Sequence, residues 1–207
     1  MMRTRVKFCG LTRPADADAA VHLGADAIGL VLARGSPRFI EPAQAVIIRR
    51  RLPPFVQAVA LLRNATADEV RNAIEVLQPD LLQFHGDEAP EFCAAFGLPY
   101  LRAVPMKGLA DLAGWEARFA SASALLLDAH GPAEAGGQGV TFDWSRVRAQ
   151  RPYVLAGGLT PGNVGAAVRQ LRPFAVDVSS GIESAPGLKD EDRMRRFIEA
   201  VRKADER

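Results

Sequence analysis

The sequence predicts a single-domain (β/α)8 TIM barrel: eight parallel strands closed into a ring, each followed by a helix. Three observations lead there. Apolar runs such as Leu125-Leu126-Leu127 read as strands buried on both faces, the pattern of parallel sheet covered by helices. Strand-like and helix-like segments then alternate along all 207 residues, starting roughly every 25 residues as βα units do. A doubly wound sheet of this length would carry fewer strands and longer helices. A closed barrel fits, near its lower limit of about 200 residues.

Each element has its own signature. Arg5–Cys9 is the first strand, closed by Gly10-Leu11-Thr12. Pro14 suits the first turn of a helix that ends at Gly24, a natural C′ residue. Ala27–Leu32 is the second strand. Pro42 opens the next helix, with Val46 and Ile47 facing inward, and Pro53-Pro54 stops it. Phe55–Leu62 is the third strand. Thr66-Ala67-Asp68-Glu69 is a capping box, after which Val70, Ala73, Ile74 and Leu77 recur at helical spacing. Leu81–Phe84 is the fourth strand, followed by a helix over Asp87–Phe96 that Gly97 ends.

Tyr100–Val104 is the fifth strand, with a helix around Leu109–Phe119. Ala124–Asp128 is the sixth, followed by a long glycine-rich loop and a short helix near Asp143–Ala149. Tyr153–Ala156 is the seventh, then Gly157-Gly158 and a helix starting at Thr160-Pro161. Phe174–Val178 is the eighth, and the last helix carries Met194, Phe197, Ile198 and Val201 on one stripe. No linker, low-complexity segment or composition shift divides the chain, so residues 1–207 read as one domain.

Composition narrows the function classes. With 48% hydrophobic residues, a net charge of +2 and mean hydropathy near zero, the chain is ordinary for a globular protein with one substantial core. Arg49-Arg50-Arg51 falls in the last turn of a predicted helix, where cations match the dipole, so no nucleic-acid partner is expected. Met1–Phe8 has no apolar leader pattern and no run reaches the length of a membrane span. Cys9 and Cys93 form no disulfide framework, which fits a reducing, cytoplasmic setting. His22 and His130 lack partners at ligand spacing, so no metal site is expected.

Closing the barrel turns positions into geometry. Strand carboxyl ends converge on one mouth, bringing Cys9, His85, Asp128, Gly157-Gly158 and Asp177–Gly181 together. Asp128 ends a buried strand on a carboxylate, which costs desolvation unless water or a ligand meets it. Gly157, Gly158, Ser179, Ser180 and Gly181 can offer backbone N–H groups to a phosphate. A short helix near Gly181–Ser184 would add its positive end. A phosphorylated small molecule is therefore the expected ligand.

Several motifs then point to one family. Lys7-Phe8-Cys9-Gly10-Leu11-Thr12, Ser36-Pro37-Arg38-Phe39, Gln83-Phe84-His85-Gly86 and Leu127-Asp128 resemble those of phosphoribosylanthranilate isomerases. So do Gly136-Gly137-Gln138-Gly139 with Thr141-Phe142-Asp143-Trp144, Gly157-Gly158-Leu159-Thr160-Pro161-Gly162-Asn163-Val164, and Asp177-Val178-Ser179-Ser180-Gly181-Ile182-Glu183. The likeness covers essentially the whole chain, in family order and spacing. It implies a small barrel of tryptophan biosynthesis, monomeric or homodimeric. Such an enzyme converts N-(5-phosphoribosyl)anthranilate to the 1-deoxyribulose 5-phosphate derivative without cofactor or metal.

That Amadori rearrangement needs an acid to protonate the ring oxygen and a base to take the C2 proton. The resemblance assigns the acid to Asp128 and the base to Cys9, each contributing on the order of 10²–10⁴ in rate. An aspartic acid near its usual pKa of about 4 is mostly ionised at neutral pH, so the site must favour its protonated form. A thiol base in turn needs cationic or dipolar surroundings. Lys7 points to the opposite face from its immediate neighbours, so it is not an automatic partner of that thiol.

Other roles follow from the same resemblance. Arg38 matches the arginine that meets the anthranilate carboxylate, a task suited to its planar fork. The loop with Gly137 is placed against the substrate. His85 lines the mouth, as a structural hydrogen-bonder or as a substrate contact. Asp177 bonds a sugar hydroxyl or braces its loop, and Cys93 reads as a buried hydrophobe. Gln138 stands where Ser or Thr is more usual, and Arg63 where an apolar residue is expected.

Three rivals remain. The sister isomerase of histidine biosynthesis uses two aspartates, against which Cys9 argues. A carbon–carbon lyase or synthase barrel such as indole-glycerol-phosphate synthase would call for a catalytic lysine or glutamate. A catalytically dead ligand-binding barrel sits poorly with an intact Cys9/Asp128 pair.

Overall fold

A computed structural model of the chain describes residues 3–109, 111–129 and 141–206. Its eight principal strands are β1 (Arg5–Cys9), β2 (Ala27–Val31), β3 (Gln57–Leu62), β4 (Leu81–Phe84), β5 (Tyr100–Pro105), β6 (Ala124–Asp128), β7 (Tyr153–Leu155) and β8 (Ala175–Val178). They pair in parallel in that order, and β8 closes the ring onto β1. The helices are α1 (Pro14–Leu23), α2 (Pro42–Arg49), α3 (Ala67–Leu77), α4 (Pro90–Ala94), α5 (Leu112–Arg118), α6 (Val164–Leu171) and α7 (Glu191–Asp205). After β8 comes a 3₁₀ turn, Ser180–Ile182, and an antiparallel hairpin of β9 (Glu183–Ala185) and β10 (Leu188–Lys189). The predicted (β/α)8 barrel is the observed architecture.

Strand alternation decides what faces the mouth. On β6, Leu125 and Leu127 pack outward into the shell under the helices, while Leu126 turns into the barrel. Asp128 continues the inward series at the strand's end. On β1, Val6 and Phe8 belong to the outer shell, and Lys7 and Cys9 share the inner face. The barrel interior is filled by small and branched residues such as Ala27, Val59, Leu101, Leu126, Val154 and Ala175.

The larger apolar cluster lies between the barrel and the helical shell. Met194, Phe197, Ile198 and Val201 form the buried stripe of α7, and Phe197 meets Phe8 edge-on at 6.1 Å between ring centroids. Fully burying one such side chain is worth about 1.5–3 kcal/mol. The capping box on α3 forms as its sequence requires: Thr66 Oγ1 accepts from Glu69 N, and Glu69 Oε2 accepts from Thr66 N. Gly24 ends α1 with φ 93°.

Several boundaries differ from expectation. The third strand begins at Gln57, not Phe55: after Pro53-Pro54 the chain turns through Phe55 at φ 71°, leaving that ring 99% exposed. On α2 the buried positions are Ala45 and Ile48; Val46 is partly buried and Ile47 points to solvent at 56% exposure. The fourth helix starts at Pro90 because Glu88 is used elsewhere, accepting from the backbone N–H of Asn64 and Gly86. Asp111 caps α5, and Asn163 stands at the N-terminus of α6, three residues after Thr160. The helix expected near Asp143 is a 3₁₀ turn, Trp144–Arg146.

Two arginines of the triplet are tied to the protein itself. Arg49 reaches Gln78 O and Asp80, and Arg51 forms a two-pronged pair with Asp18. Among the described residues, no helix is long and apolar enough to cross a membrane.

Candidate active site

The carboxyl ends of the strands enclose a cavity of about 310 Å³, a size suited to a small organic ligand. Cys9 enters it from β1, His85 from just after β4, Asp128 from β6, and Asp177 and Ser179 from the end of β8. Arg38 reaches it from the loop between β2 and α2. Val31, Ala33, Pro37 and Leu61 give one flank an apolar surface. Gly157, Gly158, Ser180 and Gly181 do not line this cavity; they stand on the adjoining loops. His130, Gly137 and Gln138 lie outside the described residues.

The loops after β7 and β8 are built around close backbone approach. Gly157 and Gly158 have φ of 79° and 63°. A Cβ on Gly157 would stand 2.3 Å from Ala129 N and 2.8 Å from Asp128 Oδ1, so glycine leaves the room that carboxylate occupies. A Cβ on Gly181 would stand 1.9 Å from Leu159 O, so the two loops pack backbone to backbone. Asn163 fixes the first loop, donating to Gly158 O and accepting from Thr160 N. The expected helix near Gly181–Ser184 is only the 3₁₀ turn of Ser180–Ile182; a local hairpin takes over at Glu183.

At the end of β6, Asp128 Oδ2 lies 3.3 Å from His85 Nε2, and His85 Nδ1 lies 3.2 Å from Gln83 Nε2. Gln83 is fully buried and points inward from β4 two residues before His85. On the opposite flank, Lys7 Nζ donates to Asp177 Oδ1 at 2.8 Å, with both side chains less than a tenth exposed. Lys7 and Asp177 are register partners on β1 and β8, which puts the two side chains side by side. Lys7 is also a charged neighbour of the Cys9 thiol, a partner the sequence left open. Neighbours on a strand face opposite ways, but Lys7 and Cys9 are two apart and share one face.

Gly29 is the register partner of Cys9, and a Cβ there would lie 2.7 Å from Cys9 Sγ and 3.1 Å from Lys7 Nζ. Burial pushes the Cys9 thiol above its ordinary pKa, with Asp177 in the same direction and Lys7 and Lys189 pulling against it. Burial opposes the charge on Lys7, but Asp177 and Cys9 outweigh it and raise its pKa. Cys93 is packed inside α4, and burial pushes its thiol up to about 12.

Arg38 is held in place by this chain's own carboxylate. Its Nε and Nη2 both donate to Glu183 at 2.8 Å. Glu183 also accepts from Lys189 Nζ at 2.7 Å, and Lys189 reaches Ser179 O at 3.2 Å. Ser179 Oγ donates to Cys9 O at 3.0 Å, so one network runs from Arg38 to the strand carrying the thiol. Burial disfavours the Glu183 carboxylate, yet Arg38 and Lys189 outweigh it and hold its pKa below the usual range. Arg63 lines the same cavity and an adjoining one beside α3.

A sequence model of the N-(5′-phosphoribosyl)anthranilate (PRA) isomerase family matches residues 6–200. The chain belongs to that family. Among the family's curated members, the N-(5′-phosphoribosyl)anthranilate isomerase of Leptothrix cholodnii is 54% identical over 207 residues, covering 99% of this chain and 94% of its own. The crystal structure of the phosphoribosyl anthranilate isomerase from Thermus thermophilus superposes with a TM-score of 0.87 at 36% identity, covering 97% of this chain and 99% of that one. A phosphoribosyl anthranilate isomerase solved with reduced 1-(o-carboxyphenylamino)-1-deoxyribulose 5-phosphate gives 0.81 at 36% identity, again over 97% and 99%.

Sequence reasoning gave no site role to Lys7, Gln83 or Glu183, although all three stand in the family-like motifs, and it passed over Gly29 and Lys189 altogether. Two of these had a readable signal. Lys7 is two residues from Cys9 in a strand, and Gly29 interrupts a buried strand, where glycine often marks a close approach. Lys189 carries no local signal at all.

Proposed function

We propose that this chain isomerises N-(5-phosphoribosyl)anthranilate to 1-(2-carboxyphenylamino)-1-deoxyribulose 5-phosphate, with Asp128 as general acid and Cys9 as general base. The observation that carries the assignment is the placement of these two side chains around one cavity from β6 and β1, three strands apart around the ring. An acid and a base for one sugar must meet different atoms of it, and this separation supplies two directions of approach. Family membership and the solved relative holding the reduced product analogue support the substrate class.

In this reading Asp128 gives its proton to the ring oxygen as the C–O bond breaks, leaving a Schiff base. Cys9 takes the proton from C2: the C–H bond breaks, an S–H bond forms, and the electron pair moves into the enamine, which tautomerises to the ketone. The apolar flank of Val31, Pro37 and Leu61 receives the aromatic ring, with Arg38 at its edge for the carboxylate. Since Glu183 occupies Nε and Nη2 of Arg38, the carboxylate meets a guanidinium already fixed in orientation. The loops of Gly157-Gly158 and Ser179–Gly181 receive the phosphate through backbone N–H groups. Asp177 serves the site through its ion pair with Lys7.

The test is a fluorescence assay for consumption of phosphoribosylanthranilate by purified protein. Loss of substrate fluorescence at a rate proportional to enzyme concentration is expected; a folded protein without activity overturns the proposal. The chain acts as a monomer or homodimer in the cytoplasm, which sedimentation and fractionation measure directly.

A further inference from the structure

Lys7 is a lysine inside a barrel, a costly place for a charge unless it is paired. Its pairing with Asp177 satisfies one donor. Its position relative to Cys9 goes further: Sγ and Nζ both lie within about 3 Å of the point where a Cβ of Gly29 would be, on the side where that glycine carries no side chain. We propose that Lys7 is the positioning residue of the Cys9 base: its ammonium, held in place by Asp177, is the counter-charge of the thiolate. This rests on the assignment of Cys9 as base.

The surroundings of Cys9 single out this lysine. Gly29 on β2 brings no charge, Asp177 on β8 brings the carboxylate that anchors Lys7, and Lys189 on β10 is committed to Glu183 and the Ser179 carbonyl. Arg38 is locked onto Glu183. Arg34, Arg63, His85 and Asp128 line other parts of the cavity. Lys7 is thus the cation that meets the thiol with only one carboxylate competing. Burial works against ionisation of the thiol, and the cation beside it offsets that burial. During the reaction Lys7 keeps its three protons, and only sulfur gains one. The charge on sulfur is lost as the C2 proton arrives, so Lys7 stabilises the reactive form of the base without entering the bond changes.

An ion pair that merely braces the barrel and one that tunes the thiol give different signs. Lys7→Met, Asp177→Asn and the double variant are compared with wild type by iodoacetamide modification of Cys9 across neutral to alkaline pH, the site confirmed by peptide mass. Asp177→Asn removes a negative charge and leaves the ammonium, so modification at one pH on the rising limb should be at least about threefold faster. Lys7→Met should make it at least about threefold slower, with the limb moved to higher pH. A structural brace alone would loosen both variants and speed both reactions; equal direction, or no change, overturns the proposal.

Should Lys7→Met strand Asp177 and fail to fold, Asp177→Asn against the double variant decides. The two share the amide and differ only in the ammonium, and the double should be the slower. The limb of kcat against pH should move with the modification limb. If the modification limb moves and the kcat limb stays, the base assignment of Cys9 falls and the role of Lys7 in catalysis with it. The charge coupling between Lys7 and the thiol would then stand alone.

Discussion

His85 Nε2 stands 3.3 Å from Asp128 Oδ2, and the buried Gln83 side chain lies against the other ring nitrogen. With the Gln83 amide donating to Nδ1, the proton of a neutral imidazole sits on Nε2 and faces the carboxylate. The Asp128 carboxylate therefore faces a ring nitrogen whose orientation the buried Gln83 fixes. Asp128→Ala should cut kcat by at least about 10², with the unfolding transition little changed. Steady-state kinetics check this, and a kcat near wild type removes Asp128 from the mechanism.

The two cysteines should behave differently. A thiol reagent should inactivate the enzyme through Cys9, with a rate that rises toward alkaline pH because burial holds the thiol protonated. Cys93, pushed up to about 12 and closed inside α4, should react only on unfolding. Cys9→Ser should lose most of kcat with little change in KM, and Cys93→Ser should keep its kinetics. Peptide mass mapping with kinetics of both variants is the measurement; the reverse pattern sinks the assignment.

Gly29→Ala tests the room made for the thiol. The new Cβ would stand 2.7 Å from Cys9 Sγ and 3.1 Å from Cys9 Cα, too close for the strand pair to keep its register unstrained. A destabilisation of about 1–3 kcal/mol is expected, with a fall in kcat from displacement of the sulfur. Chemical denaturation and kinetics together give both numbers, and an unperturbed kcat would show that the thiol needs no such placement.

Ser180→Pro deletes a backbone donor from the 3₁₀ turn after β8. If that turn holds the phosphate, KM should rise at least about tenfold with a smaller effect on kcat. Equal binding of phosphorylated and dephosphorylated product analogues by wild type contradicts the placement.

Glu183 links acid stability to the site. Arg38 and Lys189 hold its pKa below the ordinary carboxylate value, so the stabilisation is present above that ordinary value and lost as pH falls through the lower folded one. Glu183→Gln should cost about 3 kcal/mol at neutral pH, by breaking a buried pair. The gap to wild type should close in acid. Thermal unfolding across the acid range measures it; a gap independent of pH rules out the charge as its origin.

Much of the site was legible along the chain because barrel strands alternate with period two. Once Asp128 and Cys9 are strand ends on inward positions, their convergence follows from closure of the ring. Caps and turns were legible for the same local reason: Thr66 and Glu69 interact three residues apart, and Gly24 supplies its own left-handed turn. The misjudged positions are those where local signals compete. Val46, Ile47 and Ile48 are consecutive apolar residues, so local pattern leaves the inward face open, and packing turns Ala45 and Ile48 to the core.

By itself, then, the sequence determined the barrel, the order of its elements and the mouth, since each rests on periodicity or on short-range turn chemistry; the acid–base candidates Asp128 and Cys9 came from the family resemblance of its motifs. Only the tertiary structure decided the electrostatic partners. Lys7 meets Asp177 across 170 residues, Arg38 meets Glu183 across 145, and His85 meets Asp128 through closure of the ring. A charge can pair with any opposite charge the fold brings within reach, and chain separation says nothing about which one that is. Register between β1 and β8 makes the choice for Lys7, and the β9–β10 hairpin makes it for Arg38 by carrying Glu183 and Lys189 to the edge of the mouth.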